Sequence, residues 1–172
     1  MILFVYYIKF VFFSLWKNQC YFVSLIVMNI FKIRFANLQD MSEIQEIYQK
    51  ARDFMKANGN ESQWGLPSPG KSLWPSEVSI IEKINKNLQF ICEVEEGGIK
   101  KVAATFAFTN GIPESAYSSI FDGNWPDNGD EKYGVIHCFA SSGIVKGSAK
   151  YCLEWALDQC GYLKIDTHPN NK

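Results

Sequence analysis

The residues best placed to do chemistry lie close together, in Val135-Ile136-His137-Cys138-Phe139-Ala140-Ser141-Ser142-Gly143-Ile144-Val145-Lys146-Gly147-Ser148-Ala149. An apolar, strand-like run gives way to a turn with two serines and two glycines, and a helical pattern starts at Ser148. Backbone N–H groups at a helix start lack intrahelical partners and sit at the positive end of the helix dipole, so such a turn can cradle a phosphate. Lys146 adds a formal charge. Glycine and serine also fill ordinary strand-to-helix turns, so the segment alone leaves both readings open. The chain has two histidines, His137 and His168, and histidine is the side chain suited to proton transfer near neutral pH. Asp166 and His168 are two apart on a predicted strand and share a face, where they could pair beside a substrate or make a surface hydrogen bond. His137, Cys138 and His168 match no standard ligand spacing, so no metal is expected. No Gly-x-Ser-x-Gly elbow marks a serine hydrolase.

These residues must be positioned by a mixed α/β framework. Ile30 to Ala36 alternates loosely, as a half-buried strand does. Asp40 with Glu43 predicts a capping box, and Ile44, Ile47, Tyr48, Ala51 and Met55 recur at three- and four-residue steps, predicting an amphipathic helix closed at Asn58-Gly59-Asn60. A loop with three prolines follows. A second helix is expected from Pro75 to about Asn87, with Val78, Ile81 and Ile84 inward. Leu88–Val94 and Lys101–Thr109 read as hairpin strands. Residues 110–132 form an excursion with Tyr117, Phe121 and Trp125 as aromatic anchors and an acidic cluster of Asp122, Asp127, Asp130 and Glu131. Tyr133–Ala140, Ser148–Cys160 and Tyr162–Thr167 then read as strand, helix and strand, a unit that normally makes a crossover between parallel neighbours. Trp64, Trp74 and Trp125 fall in loops, where they pack or line a pocket.

The 172 residues suit one domain. With 17 Lys plus Arg against 18 Asp plus Glu and a net charge of −1, nothing marks a nucleic-acid partner. Five cysteines without a CxxC pair argue for a reducing, cytoplasmic setting and for buried thiols at Cys92, Cys138 and Cys152. Residues 1–27 form an apolar leader broken by Lys9 and Lys17, matching neither a bilayer span nor a signal peptide. It is expected to stand outside the fold, with the domain running over residues 28–172; membrane association would follow only if the leader is an anchor.

This element order, with the turn before Ser148, resembles the GNAT N-acetyltransferase superfamily. Its pyrophosphate loop reads Gln/Arg-x-x-Gly-x-Gly/Ala, which Gly147 and Ala149 match, while Ile144 stands at the Gln/Arg position. Ala51-Arg52-Asp53-Phe54-Met55, Gly59-Asn60 with Gln63-Trp64, the Tyr117–Trp125 region and Ile165-Asp166-Thr167-His168 with Asn170-Asn171 resemble a bacterial branch of it. The resemblance implies the acyl-CoA N-acyltransferase fold, a mixed, mostly antiparallel sheet flanked by helices, without the last helix and strands beyond Lys172. It implies acetyl-CoA as co-substrate and direct acetyl transfer to an amine of a small molecule or protein; a noncatalytic coenzyme-binding module is the alternative, and a homodimer is compatible with either. The coenzyme contacts implied are Phe139, Ser141, Ile144, Val145, Lys146, Gly147, Ser148, Ala149 and Asn171, the Phe139 N–H polarising the thioester carbonyl. His137, Asp166 and His168 are the candidates for proton transfer.

Overall fold

The computed structural model describes residues 4–8, 31–61, 63–64, 73–96, 98–118 and 132–167. Its strands are β1 (Phe4–Ile8), β2 (Phe31–Phe35), β3 (Gln89–Glu96), β4 (Ile99–Asn110), β5 (Gly134–Ser141) and β6 (Leu163–Thr167). Its helices are α1 (Met41–Ala57), α2 (Glu77–Asn85) and α3 (Ser148–Cys160), with 3₁₀ turns at Leu38–Asp40 and Ser115–Tyr117. The strands form one sheet in the order β1-β6-β5-β4-β3-β2. All neighbours are antiparallel except β5 and β6, which α3 joins in parallel, as a strand–helix–strand crossover requires.

Two cores cover the two faces of the sheet. On one face, Phe90, Cys92, Phe106, Phe108, Ile136 and Leu163 pack against Cys152 and Ala156 of α3. On the other, Ile91, Val102 and Ala140 pack against Ile44, Ile47 and Tyr48 of α1 and Ile80 and Ile84 of α2. Alternation along each strand sorts residues between these faces, and it decides below which side chains meet.

Details of the helix starts differ from expectation. Asp40 precedes α1, but its carboxylate completes a capping box with Asn37 at the 3₁₀ turn before it rather than capping α1 itself. It accepts two hydrogen bonds from the Arg34 guanidinium, each 2.8 Å, and one from the Asn37 N–H at 2.7 Å. Arg34 Nε also donates to Glu93 at 2.7 Å, so one cation ties β2, β3 and the turn before α1 together. In α2, Ser76 caps the helix, Ile80 and Ile84 are buried, and Val78, expected inward, is exposed, because Glu77 rather than Pro75 opens the helix and Ile80 takes the inward position. Of the predicted buried thiols, Cys92 and Cys152 are buried and Cys138 only partly so. The described residues of the leader are Phe4–Ile8, which pair antiparallel with β6 from Phe4↔Thr167 to Ile8↔Leu163; residues 9–27 lie outside the described ones.

The Arg34–Asp40 pair carries a stability prediction. Hydrogen bonds from Arg34 hold the Asp40 carboxyl below the usual carboxylate range, against the opposing effect of burial and helped by the Asn37 N–H. A carboxyl depressed in the folded state contributes its stability above the unfolded pKa and loses it as pH falls through the folded one. Asp40→Asn is therefore expected to cost about 2 kcal/mol at pH 7, reduced from the fully buried case because Arg34 is partly exposed. In urea melts of wild type and variant, the gap should shrink steadily as the medium is acidified below the ordinary carboxylate range.

Candidate active site

β5 and β6 are paired over three positions only, Gly134↔Leu163, Val135↔Lys164 and Ile136↔Ile165. Beyond them β5 runs on to Ser141 and β6 to Thr167 without pairing to each other, so a wedge opens between two strands of one sheet. A β-bulge accompanies the opening. Thr105 pairs with Ala140 and Ala107 with His137, so Cys138 and Phe139 both stand against Phe106. Cys138 has a φ of 51°, a left-handed conformation that costs a non-glycine residue about 1–2 kcal/mol. Bulges re-aim side chains and end pairing, often beside active sites. Here the extra residue puts His137 and Cys138 on the α1/α2 face and Phe139 on the α3 face, where it packs against Phe106.

His137 is the first β5 residue past the pairing, and Asp166 the first on β6. On β6, Leu163 and Ile165 join the α3-side core, which leaves Asp166 on the same face as His137. They do not touch each other; Tyr117 bridges them. Its hydroxyl hydrogen-bonds Asp166 Oδ1, and its ring packs edge-on at 5.9 Å from the His137 ring. Burial first, and then Asp166, push the Tyr117 phenol far above its usual range, so it stays protonated. His137 Nε2 lies 2.7 Å from Glu114 Oε2, and Glu114 Oε1 accepts from the Thr109 hydroxyl at 2.7 Å. The Glu114 N–H donates to the Tyr133 hydroxyl at 3.1 Å. Cys138 adjoins Trp74 and Lys83; burial raises its thiol pKa against their opposing pull, which keeps it a thiol rather than a nucleophilic thiolate.

At the far end of β5 the Ser141 and Ser142 hydroxyls donate to the Ala103 carbonyl at 3.3 and 3.0 Å. Gly147 is the N-cap of α3 at φ 93°, with no side chain to cap the helix. A Cβ there would meet nothing within 4 Å. Ile144, Lys146, Gly147 and Ala149 are exposed, so the turn stands open rather than covered by side chains. Ser148 faces inward, its hydroxyl 3.2 Å from that of Ser141, and Val145 packs on the α3-side core. A cavity of about 160 Å³ lies between α1 and the turn. Its wall mixes Glu43 and Glu46 with Lys50 and Lys101, a poorer anion site than the helix start.

The structure thus places the expected loop residues around the start of α3, with Phe139 in the wedge and His137 and Asp166 at its apex. His168, Asn171, Phe121, Trp125 and the acidic cluster lie outside the described residues. Trp64 packs edge-on against Tyr48 at 5.6 Å, whereas Trp74 is 46% exposed beside Cys138. Thr109, Glu114 and the bridging role of Tyr117 escaped sequence reasoning, since 23 residues separate Glu114 from His137 and no local pattern joins them. Among the described residues no three His, Cys, Asp or Glu side chains gather as a metal site, and no helix is long and apolar enough to cross a membrane.

No protein-family model matches the sequence, and no curated protein matches it. Solved structures are. A GNAT-family acetyltransferase from Streptococcus agalactiae 2603 superposes with a TM-score of 0.67 at 23% identity, over 82% of this chain and 78% of that one. A GNAT-family acetyltransferase from Listeria monocytogenes 4b F2365 gives 0.47 at 18% identity, over 75% and 69%. A predicted acetyltransferase from Clostridium acetobutylicum, solved with acetyl-CoA, gives 0.44 at 14% identity, over 81% and 82%. The fold assignment rests on the first.

Proposed function

We propose that this chain, which has the GNAT acyl-CoA N-acyltransferase fold, transfers an acetyl group from acetyl-CoA directly to an amine of a small molecule or protein. The observation that carries the reading is the wedge, because an extended pantetheine arm needs strand backbone that no neighbour has taken, and β5 offers it from His137 to Ser141. At the outer end of that reach, the open turn of Ile144 to Ala149 suits a diphosphate, with the α3 N-terminus supplying N–H groups and Lys146 a charge. At the inner end, the Phe139 N–H would polarise the thioester carbonyl. The amine would approach from the α1/α2 face, where Trp74, His137, Tyr117 and Asp166 lie, and His137 is the base nearest the apex.

Direct transfer fits these groups better than an acyl-enzyme, since burial keeps Cys138 protonated. Holding amine and thioester together supplies much of the rate, and the base supplies the rest. The coenzyme is a diffusible co-substrate, and the reading places the protein in the cytoplasm, where acetyl-CoA is available.

A thermal-shift titration tests this reading. Acetyl-CoA at 100 times its Kd should stabilise the protein by about 2.7 kcal/mol, and Gly147→Glu should abolish the shift by putting a carboxylate in the diphosphate site. Gly147→Ala is the control, sharing the strain of a side chain at φ 93° but adding no charge. Its shift should persist. A wild-type protein that ignores acetyl-CoA would sink the proposal, while binding without transfer to any of a broad amine panel would leave a coenzyme-binding module.

A further inference from the structure

We infer that Glu114 is the positioning residue of this site: it fixes His137 as the Nε2–H tautomer and reserves Nδ1 as the nitrogen that takes the proton from the amine. The tautomer stands on geometry alone; what Nδ1 does rests on the acyl-transfer reading above. A carboxylate only accepts hydrogen bonds, so a ring nitrogen 2.7 Å from one carries the proton. Glu114 cannot readily turn away. Its second oxygen accepts from Thr109, its N–H donates to Tyr133, and its carbonyl accepts from the Tyr117 N–H at 2.9 Å. Thr109 at the end of β4, Glu114 in the following turn and His137 on β5 thus form a chain of three side chains ending at an imidazole.

The other ring nitrogen has no hydrogen-bond partner among the described residues. The His137 side chain is 30% exposed, enough to meet a substrate. The remaining charged and titratable groups around it are already engaged: Tyr117 with Asp166, the Cys138 thiol beside Trp74 and Lys83, and Lys164 over the Tyr133 ring at 4.0 Å.

The proton balance is simple. An ammonium N–H bond breaks as Nδ1–H forms, and the Glu114 carboxylate offsets the charge of the resulting imidazolium. The freed nitrogen pair attacks the thioester carbonyl, a C–N bond forms and the C–S bond breaks. The second proton lost by that nitrogen ends on the coenzyme thiol, and the imidazolium returns its own to water.

Nitrogen-15 NMR of the full chain tests the inference without any coenzyme. With ¹⁵N-histidine and the His168→Gln background, only the His137 ring reports. At a pH where the ring is neutral, Nε2 should appear protonated, with a proton signal protected from exchange, and Nδ1 should appear unprotonated. Glu114→Ala should lose the protected proton and move both nitrogens toward the values of a free ring, and Glu114→Gln should lose it in part. Turnover in Glu114→Ala should fall roughly 10- to 100-fold with KM for acetyl-CoA unchanged. A protonated Nδ1 in the parent, or ring signals indifferent to both substitutions, would overturn the inference. Failure of the acetyl-CoA thermal shift strikes the acyl-transfer reading instead and leaves the ring signals as they are.

Discussion

Replacing His137 with alanine is expected to lower kcat/KM for amine acetylation by a factor of about 100 to 1,000 at neutral pH, the usual contribution of a positioned base. The ring sits at the apex of the wedge, where the β5–β6 ladder ends, and its tautomer is set by a carboxylate held at both oxygens. Because coenzyme binding is assigned to the turn before α3, acetyl-CoA should stabilise His137→Ala and wild type alike. That separates loss of chemistry from loss of binding. His137→Gln can still donate to Glu114 and so controls for the lost hydrogen bond; it should be as slow as the alanine variant yet more stable. Undiminished turnover in both would move the base elsewhere, with Asp166 the nearest alternative.

The largest stability effect is expected at Phe106. Its side chain is fully buried and stacks on Phe90 at 5.7 Å, with Phe139 and the α3 residue Trp155 each at 6.1 Å. Truncation to alanine removes a large apolar side chain and leaves a cavity among aromatic rings that cannot collapse into it, at about 3–5 kcal/mol. For a domain of this size that amounts to a fall in Tm of roughly 6–20 °C. Phe106→Leu keeps most of the volume and should lose about a third as much. Since Phe106 is also the residue against which Cys138 and Phe139 bulge, the leucine variant should bind acetyl-CoA more weakly than its stability alone predicts. Equal affinity would show that the bulge does not depend on this contact.

How much of this is legible in the sequence follows from the range of each interaction. Helix α3 is legible at its observed bounds because Gly147 and Gly161 punctuate it and its apolar positions recur at helical steps. Strands β3 to β6 were read to within a few residues for a similar reason, as alternation and turn residues are local signals. At Asp40 the reading is off by one turn: the capping box forms between Asn37 and Asp40 ahead of α1, and Arg34 on β2, a non-local partner, binds the same carboxylate. The candidate site divides the same way. The turn before α3, proposed for the diphosphate, is contiguous in sequence, whereas Thr109, Glu114, Tyr117, His137 and Asp166 meet only because the sheet brings β4, β5 and β6 side by side. The bulge, too, leaves no mark in the string His-Cys-Phe-Ala; it exists in the mismatch between two strands.

That mismatch has a consequence for how the cleft could have arisen. Take Cys138 out, and Ile136, His137, Phe139 and Ala140 keep the sides they now occupy, this time in unbroken alternation. The α3-side core keeps its residues, and the α1/α2-side core gives up Cys138, a partly buried residue packed against it. β5 would then run past Ile136 with an unbroken edge toward β6, so the inserted residue marks the point at which the two strands part. Such an insertion adds one side chain to the margin of one core and leaves the other as it was, a change within reach of one codon.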